Sequence, residues 1–215
     1  MDLLSYRHII WDFNGTLIDD VDLVVMIMNR MLKRRALVDI SRSDYLEVFD
    51  FPVIDYYIAL GFDFSKELYD DVAREFIYEY YRDGYTAPLQ PGADRILKLL
   101  RKNRVTQSVL SASKTGYLEE HLETLGITGY FDLLDGLDDI KGSKKTDKGK
   151  EHIKTLGIDP SEILYIGDTL HDLEVADSIG CDHLLVANGH QSRSRLLKAS
   201  GNVIDSLMEL TVNGL

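Results

Sequence analysis

A second cysteine is missing from this 215-residue chain. Cys181 stands alone, so no disulfide can form within the chain, which fits a reducing compartment. No apolar run reaches the length a membrane-spanning helix needs, and the opening MDLLSYRHII lacks the succession of charged, apolar and small residues that marks a secretory signal. A cytoplasmic protein without a membrane partner is therefore expected. Basic charge is also scarce: 24 Lys and Arg stand against 36 Asp and Glu, for a net charge of -12 and a pI near 4.9. That balance excludes broad attraction to nucleic acid or anionic lipid, and an anionic substrate would need a locally positive site. Internal repeats and low-complexity tails are absent too.

What is present suits one hydrophobic core with room for a modest inserted unit: 45% hydrophobic and 28% charged residues over 215 positions. Short apolar runs alternate with longer amphipathic ones, the pattern of a parallel sheet covered by helices. Strands are predicted at His8 to Trp11, Thr106 to Leu110, Phe131 to Leu134, Ile163 to Ile166 and Leu184 to Val186. Helices are predicted at Ala93 to Lys102, Thr115 to Leu125, Lys148 to Leu156, Asp172 to Ile179 and Arg193 to Lys198. Gly126 and Gly157 follow two of them, where a left-handed C-terminal residue favours glycine. The fold class is thus α/β, a doubly wound, mostly parallel sheet.

Residues 19–89 break the alternation, with helical periodicity and almost no strand signal. Leu23, Ile27, Met28, Met31 and Leu32 can share a helix face, Ser41 to Asp44 (SRSD) has the form of a capping box, and Val72, Phe76 and Tyr80 recur at helical spacing. Residues 1–18 and 90–215 therefore form the expected core, and 19–89 an inserted helical domain. The insertion holds eight of the 12 tyrosines, expected mainly as packing.

In such a sheet, ligands bind beyond the carboxyl ends of the strands. Asp12 follows HIIW, Ser111 follows SVL, and Asp168 follows ILYIG; Lys144, Lys145 and Lys148 precede the helix leading to that last strand. DFNGTL (Asp12 to Leu17) and GDTLHD (Gly167 to Asp172), in this order and context, carry the most specific signal. With Ser111 and the lysine group, they make the chain resemble the haloacid dehalogenase superfamily along essentially its whole length. The likeness is to the phosphoglycolate-phosphatase-like branch, with a helical cap after the first strand.

The resemblance implies a hydrolase of a small phosphorylated metabolite. Asp12 would be the nucleophile forming an aspartyl-phosphate, and Mg²⁺ would be held by Asp12, Asp168 and the backbone carbonyl of Asn14. The phosphoryl oxygens would meet Gly15, Thr16, Ser111, Ala112 and a lysine, for which family spacing favours Lys144 over Lys145 and Lys148. Asp172 would support the metal or the nucleophile, or simply start a helix. His171 and His190, and the basic run Lys33 to Arg35, are expected as surface or cap-facing features. The assembly is expected to be a monomer or homodimer.

One position departs from the family pattern. Where an aspartate usually gives and takes the proton, this chain has Asn14, whose amide does neither. A positioned acid or base contributes roughly 10²–10⁴ in rate. The expectation is therefore slow turnover, or turnover confined to leaving groups that depart unprotonated, such as aryl, acyl or pyrophosphate. An introduced substitution that holds substrate, or deamidation at Asn14-Gly15, would also account for the amide. A phosphate-binding or regulatory module with weak or no catalysis is the alternative.

Overall fold

Strands whose side chains are buried above and below require helices on both faces, and the sheet is built that way. The computed structural model describes residues 2–137 and 145–211. Among these, β1 (His8–Trp11), β2 (Thr106–Leu110), β3 (Leu133–Asp135), β4 (Ile163–Gly167), β5 (Asp182–Val186) and β6 (Val203–Ile204) form one six-stranded sheet, ordered β3-β2-β1-β4-β5-β6. Every pairing is parallel, with His8 beside Thr106 on one side and Ile163 on the other. The α/β class is as expected. β6, two residues long, is too short for a periodic signal, and β3 starts late because the Phe131 amide still closes a turn on Thr128.

The two-residue period of the strands sorts their side chains. Ile9, Trp11, Val109 and Ile166 face a cluster with Ile96, Leu97 and Leu100 of α5 (Ala93–Lys102). Ile10, Leu110 and Tyr165 face the opposite cluster, with Val175, Ala176 and Ile179 of α8 (Leu170–Ile179). Each such large apolar side chain contributes about 1.5–3 kcal/mol on burial. α6 (Thr115–Thr124), α7 (Lys145–Leu156) and α9 (Arg193–Ala199) complete the cover, and α7 opens earlier than its apolar pattern suggests.

Helix α7 is fastened by a polar chain through the sheet. His8 bridges the hydroxyls of Thr106 and Ser108 at 2.7 Å each; Ser108 pairs with His152 Nε2 at 2.7 Å, and His152 Nδ1 with Asp135 at 2.7 Å. Gly149 lets α7 lie against α8, since a Cβ there would press Val175 and Ile179 at 3.3 Å. The first residue of α7 is consequently fixed at the sheet edge.

Between β1 and α5 the regular elements are helical: α1 (Val21–Arg34), α2 (Arg42–Val48), α3 (Val53–Ala59) and α4 (Tyr69–Asp83), with a short 3₁₀ turn after α4. They share their own apolar cluster, including Ile27, Met28, Met31, Leu32, Tyr45, Tyr56, Val72 and Tyr80. Ser41 accepts from the Asp44 amide and starts α2, while the Asp44 carboxylate takes the Ser41 hydroxyl instead of its amide. The basic run ends in ion pairs: Arg35 meets Glu67 and Glu75, and Arg34 meets Glu75 and Glu79, tying α1 to α4.

Candidate active site

The chain leaves β1 toward one edge of the sheet and β4 toward the other, so the crevice between their carboxyl ends is where a ligand can enter. Asp12 closes β1, its amide donating to the Ile166 carbonyl at 2.8 Å, and Asp168 closes β4. Asp12, Asp168 and Asp172 are all buried, and one carboxylate oxygen from each lies within 4.8 Å of the others.

Asp168 is gripped from two sides. Its Oδ1 accepts from the Thr16 hydroxyl at 2.7 Å and its Oδ2 from the His190 amide at 2.6 Å. Gly15, at φ 75°, leaves the room: a Cβ there would sit 2.4 Å from Asp168 Oδ2. Asp172 starts a helix, one of the two roles its sequence allowed, and also holds Lys145. Its Oδ2 accepts from the Thr169 amide at 2.9 Å and the Thr169 hydroxyl accepts from the Asp172 amide, a capping box at the start of α8; its Oδ1 accepts from Lys145 at 2.7 Å.

Lys145, at the start of α7 and 5% exposed, also donates to Asp12 Oδ1. Burial disfavours its charge, but Asp12 and Asp172 outweigh that and hold its pKa well above the usual range. Burial pushes Asp12 upward, with Asp172 and Asp168 adding to the rise and Lys145 opposing it. Burial likewise raises Asp168, to about 6. Lys144 lies outside the described residues.

Asn14 is held at both ends of its amide. Nδ2 donates to Asp20 Oδ2 at 3.1 Å and to the Tyr80 hydroxyl at 2.6 Å; Oδ1 accepts from the Ser113 hydroxyl at 2.9 Å and, more weakly, from Ser111 at 3.4 Å. Because a carboxylate only accepts, the NH₂ group must be the one facing Asp20. Asp20, also buried, accepts from the Gly15 amide at 2.8 Å, the Tyr80 hydroxyl at 2.5 Å and His190 Nε2 at 3.0 Å. His190 Nδ1 reaches the Tyr45 hydroxyl at 2.8 Å. Burial works against a charged His190, yet Asp20 raises it to about 9, so it stands as a cation beside that carboxylate.

These contacts show where each residue expected from sequence lies. Gly15 gives its amide to Asp20 and Thr16 its hydroxyl to Asp168, so both build the carboxylate framework and neither lines the cavity described next. Ser111 is fully buried behind Ser113, whose amide it receives at 3.0 Å. His171 does face the helical segment, its ring 4.7 Å from that of Phe51. Lys145, Asp20, Ser113, Tyr45, Tyr80 and His190 join the site. Of these, Lys145 had a sequence signal in its lysine run, and Tyr80 one in its register with Val72 and Phe76.

A cavity of about 310 Å³ spans the region, and Asp12, Asn14, Ala112, Ser113, Lys145 and Asp172 are among its lining residues. Met28, Phe49, Phe51, Tyr56, Phe76 and Tyr81 are also among the side chains that wall it.

The model of the haloacid dehalogenase-like hydrolases matches residues 9–186. The N-acetylmuramic acid 6-phosphate phosphatase of Pseudomonas putida is 26% identical over 87% of this chain and 85% of its own length. The phosphoglycolate phosphatase of Synechococcus elongatus is 24% identical over 90% of this chain and 89% of its own. Among solved structures, a haloacid dehalogenase-like family hydrolase from Streptococcus pneumoniae superposes with a TM-score of 0.80 at 19% identity, over 96% of this chain and 97% of that one.

Proposed function

This chain belongs to the haloacid dehalogenase-like hydrolases, and from that premise we propose that it is a Mg²⁺-dependent phosphohydrolase of a small phosphorylated molecule, with Asp12 as nucleophile. The observation that carries the reading is the meeting of Asp12, Lys145 and Asp172 in the lining of a cavity, with Asp168 alongside.

Three buried carboxylates against the single ammonium of Lys145 leave surplus negative charge away from water, and burial together with the neighbouring carboxylates raises Asp12 and Asp168. Hard oxygen donors with uncompensated charge fit Mg²⁺, with Asp12 and Asp168 as the holding residues and Asp172 beside them. When bound, the ion supplies the positive charge that lets an anionic nucleophile and an anionic phosphoryl group approach.

The chain's own residues do the rest. Asp12 attacks phosphorus and carries the phosphoryl group as an acyl phosphate until water displaces it. Lys145, anchored between Asp12 and Asp172, presents its ammonium to the phosphoryl oxygens, the role sequence spacing had given to Lys144. Ser113 and the Ala112 segment line the same cavity, with Ser111 beneath them. Asn14 holds Asp20 and Ser113 in register but transfers no proton, which slows esters of poor leaving groups. Residues 19–89 act as the cap that shields the first step from water, over a core of 1–18 and 90–215.

The test is a panel of phosphate esters and acetyl phosphate with Mg²⁺, comparing this chain, Asn14→Asp and Asp12→Ala. Turnover that disappears with Asp12→Ala and rises with Asn14→Asp supports the reading. Turnover that survives Asp12→Ala ends it. No turnover in any folded form, with phosphate still bound, makes the chain a binding module instead.

A further inference from the structure

The apolar and aromatic part of the cavity lining has a chemistry of its own. Val24, Met28, Phe49, Phe51, Tyr56 and Phe76 are among the side chains that form it. Lys145 and His190, the buried cations among the cavity's described lining residues, are already committed to Asp12, Asp172 and Asp20. The other basic residues of the lining, Lys114 and His171, are exposed and half-buried, and the six side chains named above carry no cation. Tyr56 is 3% exposed, and its hydroxyl has no partner among the described residues, a donor left for a ligand. A cavity of roughly 150 Å³ accommodates benzene, and this one measures about 310 Å³, room for a ring together with its phosphoryl group.

Asn14 points the same way from the side of the reaction. Without an acid, the leaving oxygen must depart as an anion. A phenol, with a pKa of about 10, tolerates this far better than an aliphatic alcohol, whose acidity is nearer that of water at roughly 15.7.

We propose that the substrates are aryl phosphate monoesters, the ring seated among the aromatic side chains of the helical segment and the phosphoryl group against Asp12 and Lys145. This rests on the phosphohydrolase reading above. Asp12 forms its bond to phosphorus as the bond from phosphorus to the phenolic oxygen breaks, and the electron pair leaves with the phenolate. Water then attacks the same phosphorus, freeing the Asp12 carboxylate and phosphate; the proton that water gives up balances the one the phenolate takes from solvent.

Two measurements test it. In turnover with Mg²⁺, phenyl phosphate should exceed 2-phosphoglycolate by roughly 100-fold or more in kcat/KM, the size of a missing acid's contribution. Phe51→Ala should lower the ratio of phenyl to acetyl phosphate kcat/KM by about tenfold, the scale of losing one ring contact. In calorimetry with Mg²⁺, phenylphosphonate should bind about tenfold or more tightly than methylphosphonate, through the same ring contacts. If acetyl phosphate is hydrolysed while phenyl phosphate gains nothing over 2-phosphoglycolate, the aryl assignment is wrong and the phosphohydrolase stands. If nothing is hydrolysed, the phosphohydrolase reading fails, and equal binding of the two phosphonates then overturns the ring site as well.

Discussion

At the strand ends, the carboxylates have each found a charged or hydrogen-bonding partner: in the cavity wall, Asp12 with Lys145 and Asp172 with Lys145 and Thr169; outside its lining, Asp168 with Thr16 and the His190 amide. On the side of α1–α4 the partners are rings: Tyr45 packs on Phe49 at 5.2 Å, Phe49 edge-on to Tyr56 at 5.3 Å, Phe76 over Tyr80 at 5.9 Å. One wall places charge and the other places area. The difference teaches that, in the function proposed above, reaction and selectivity are separable: the proposed reacting groups lie at the strand ends and the start of α7, and the rings on the helices between β1 and α5. Tyr80 and Asp20 are the seam, joined at 2.5 Å.

The largest effect should come from breaking the charged wall. Lys145→Met should lower kcat/KM by roughly 10²–10³, as removal of one preorganised donor to a developing charge does. It should also cost about 3–5 kcal/mol of stability, since Asp12 and Asp172 would be left buried without their cation. Steady-state kinetics and urea denaturation read the two effects separately, and Lys144→Met as the comparison should stay within about threefold of the parent. Equal losses in both variants would contradict the assignment to Lys145.

Next is the seam. Asn14→Asp would set a second carboxylate against Asp20, where the amide now donates at 3.1 Å. Two such groups share a proton, so one of them stays protonated near neutrality and can donate it to a leaving group. Turnover of an alkyl phosphate should rise about 100-fold, and the variant's melting temperature should fall from pH 6 to pH 9 relative to the parent as that proton is lost. A flat difference across this range would show that the two carboxylates do not interact.

The smallest effect lies beneath the charged wall, in the polar chain that fixes α7. Burial, with His152 adding to it, lowers His8 to about 4. The unfolded chain takes up this proton near pH 6.5 and the folded chain only near 4, so stability is full above about 6.5 and declines as pH falls through that window. The upper bound is about 3 kcal/mol. Denaturation of the parent and of His8→Gln at pH 7.5 and pH 4.5 should show the smaller loss in the variant.

Much of the charged wall was legible in the sequence because position along the chain and position in space coincide there. A strand end fixes where the next side chain lies, which is why Asp12, Ser111 and Asp168 could be named from the runs before them, and why β1, β2 and α5 fall where their periods end. Lys145 was harder. Neighbouring lysines on a helix start point in different directions, and which one enters the site depends on where α7 is pinned by His152 and Gly149, contacts made across the fold. The aromatic wall was legible only as composition. Eight tyrosines announce a packed helical unit, but which of them line a cavity is decided by how α1–α4 sit over the sheet. Asp20 and His190, 170 residues apart, have no shared local signal at all.

The central proposal is that the Asp12 carboxylate takes the phosphoryl group. Incubation with acetyl phosphate and Mg²⁺, acid quench within the turnover time and peptide mass analysis test this directly. A phosphoryl group on the peptide bearing Asp12, absent in Asp12→Asn, is the predicted result; turnover at an undiminished rate in Asp12→Asn, with no phosphorylated peptide from either protein, would contradict it.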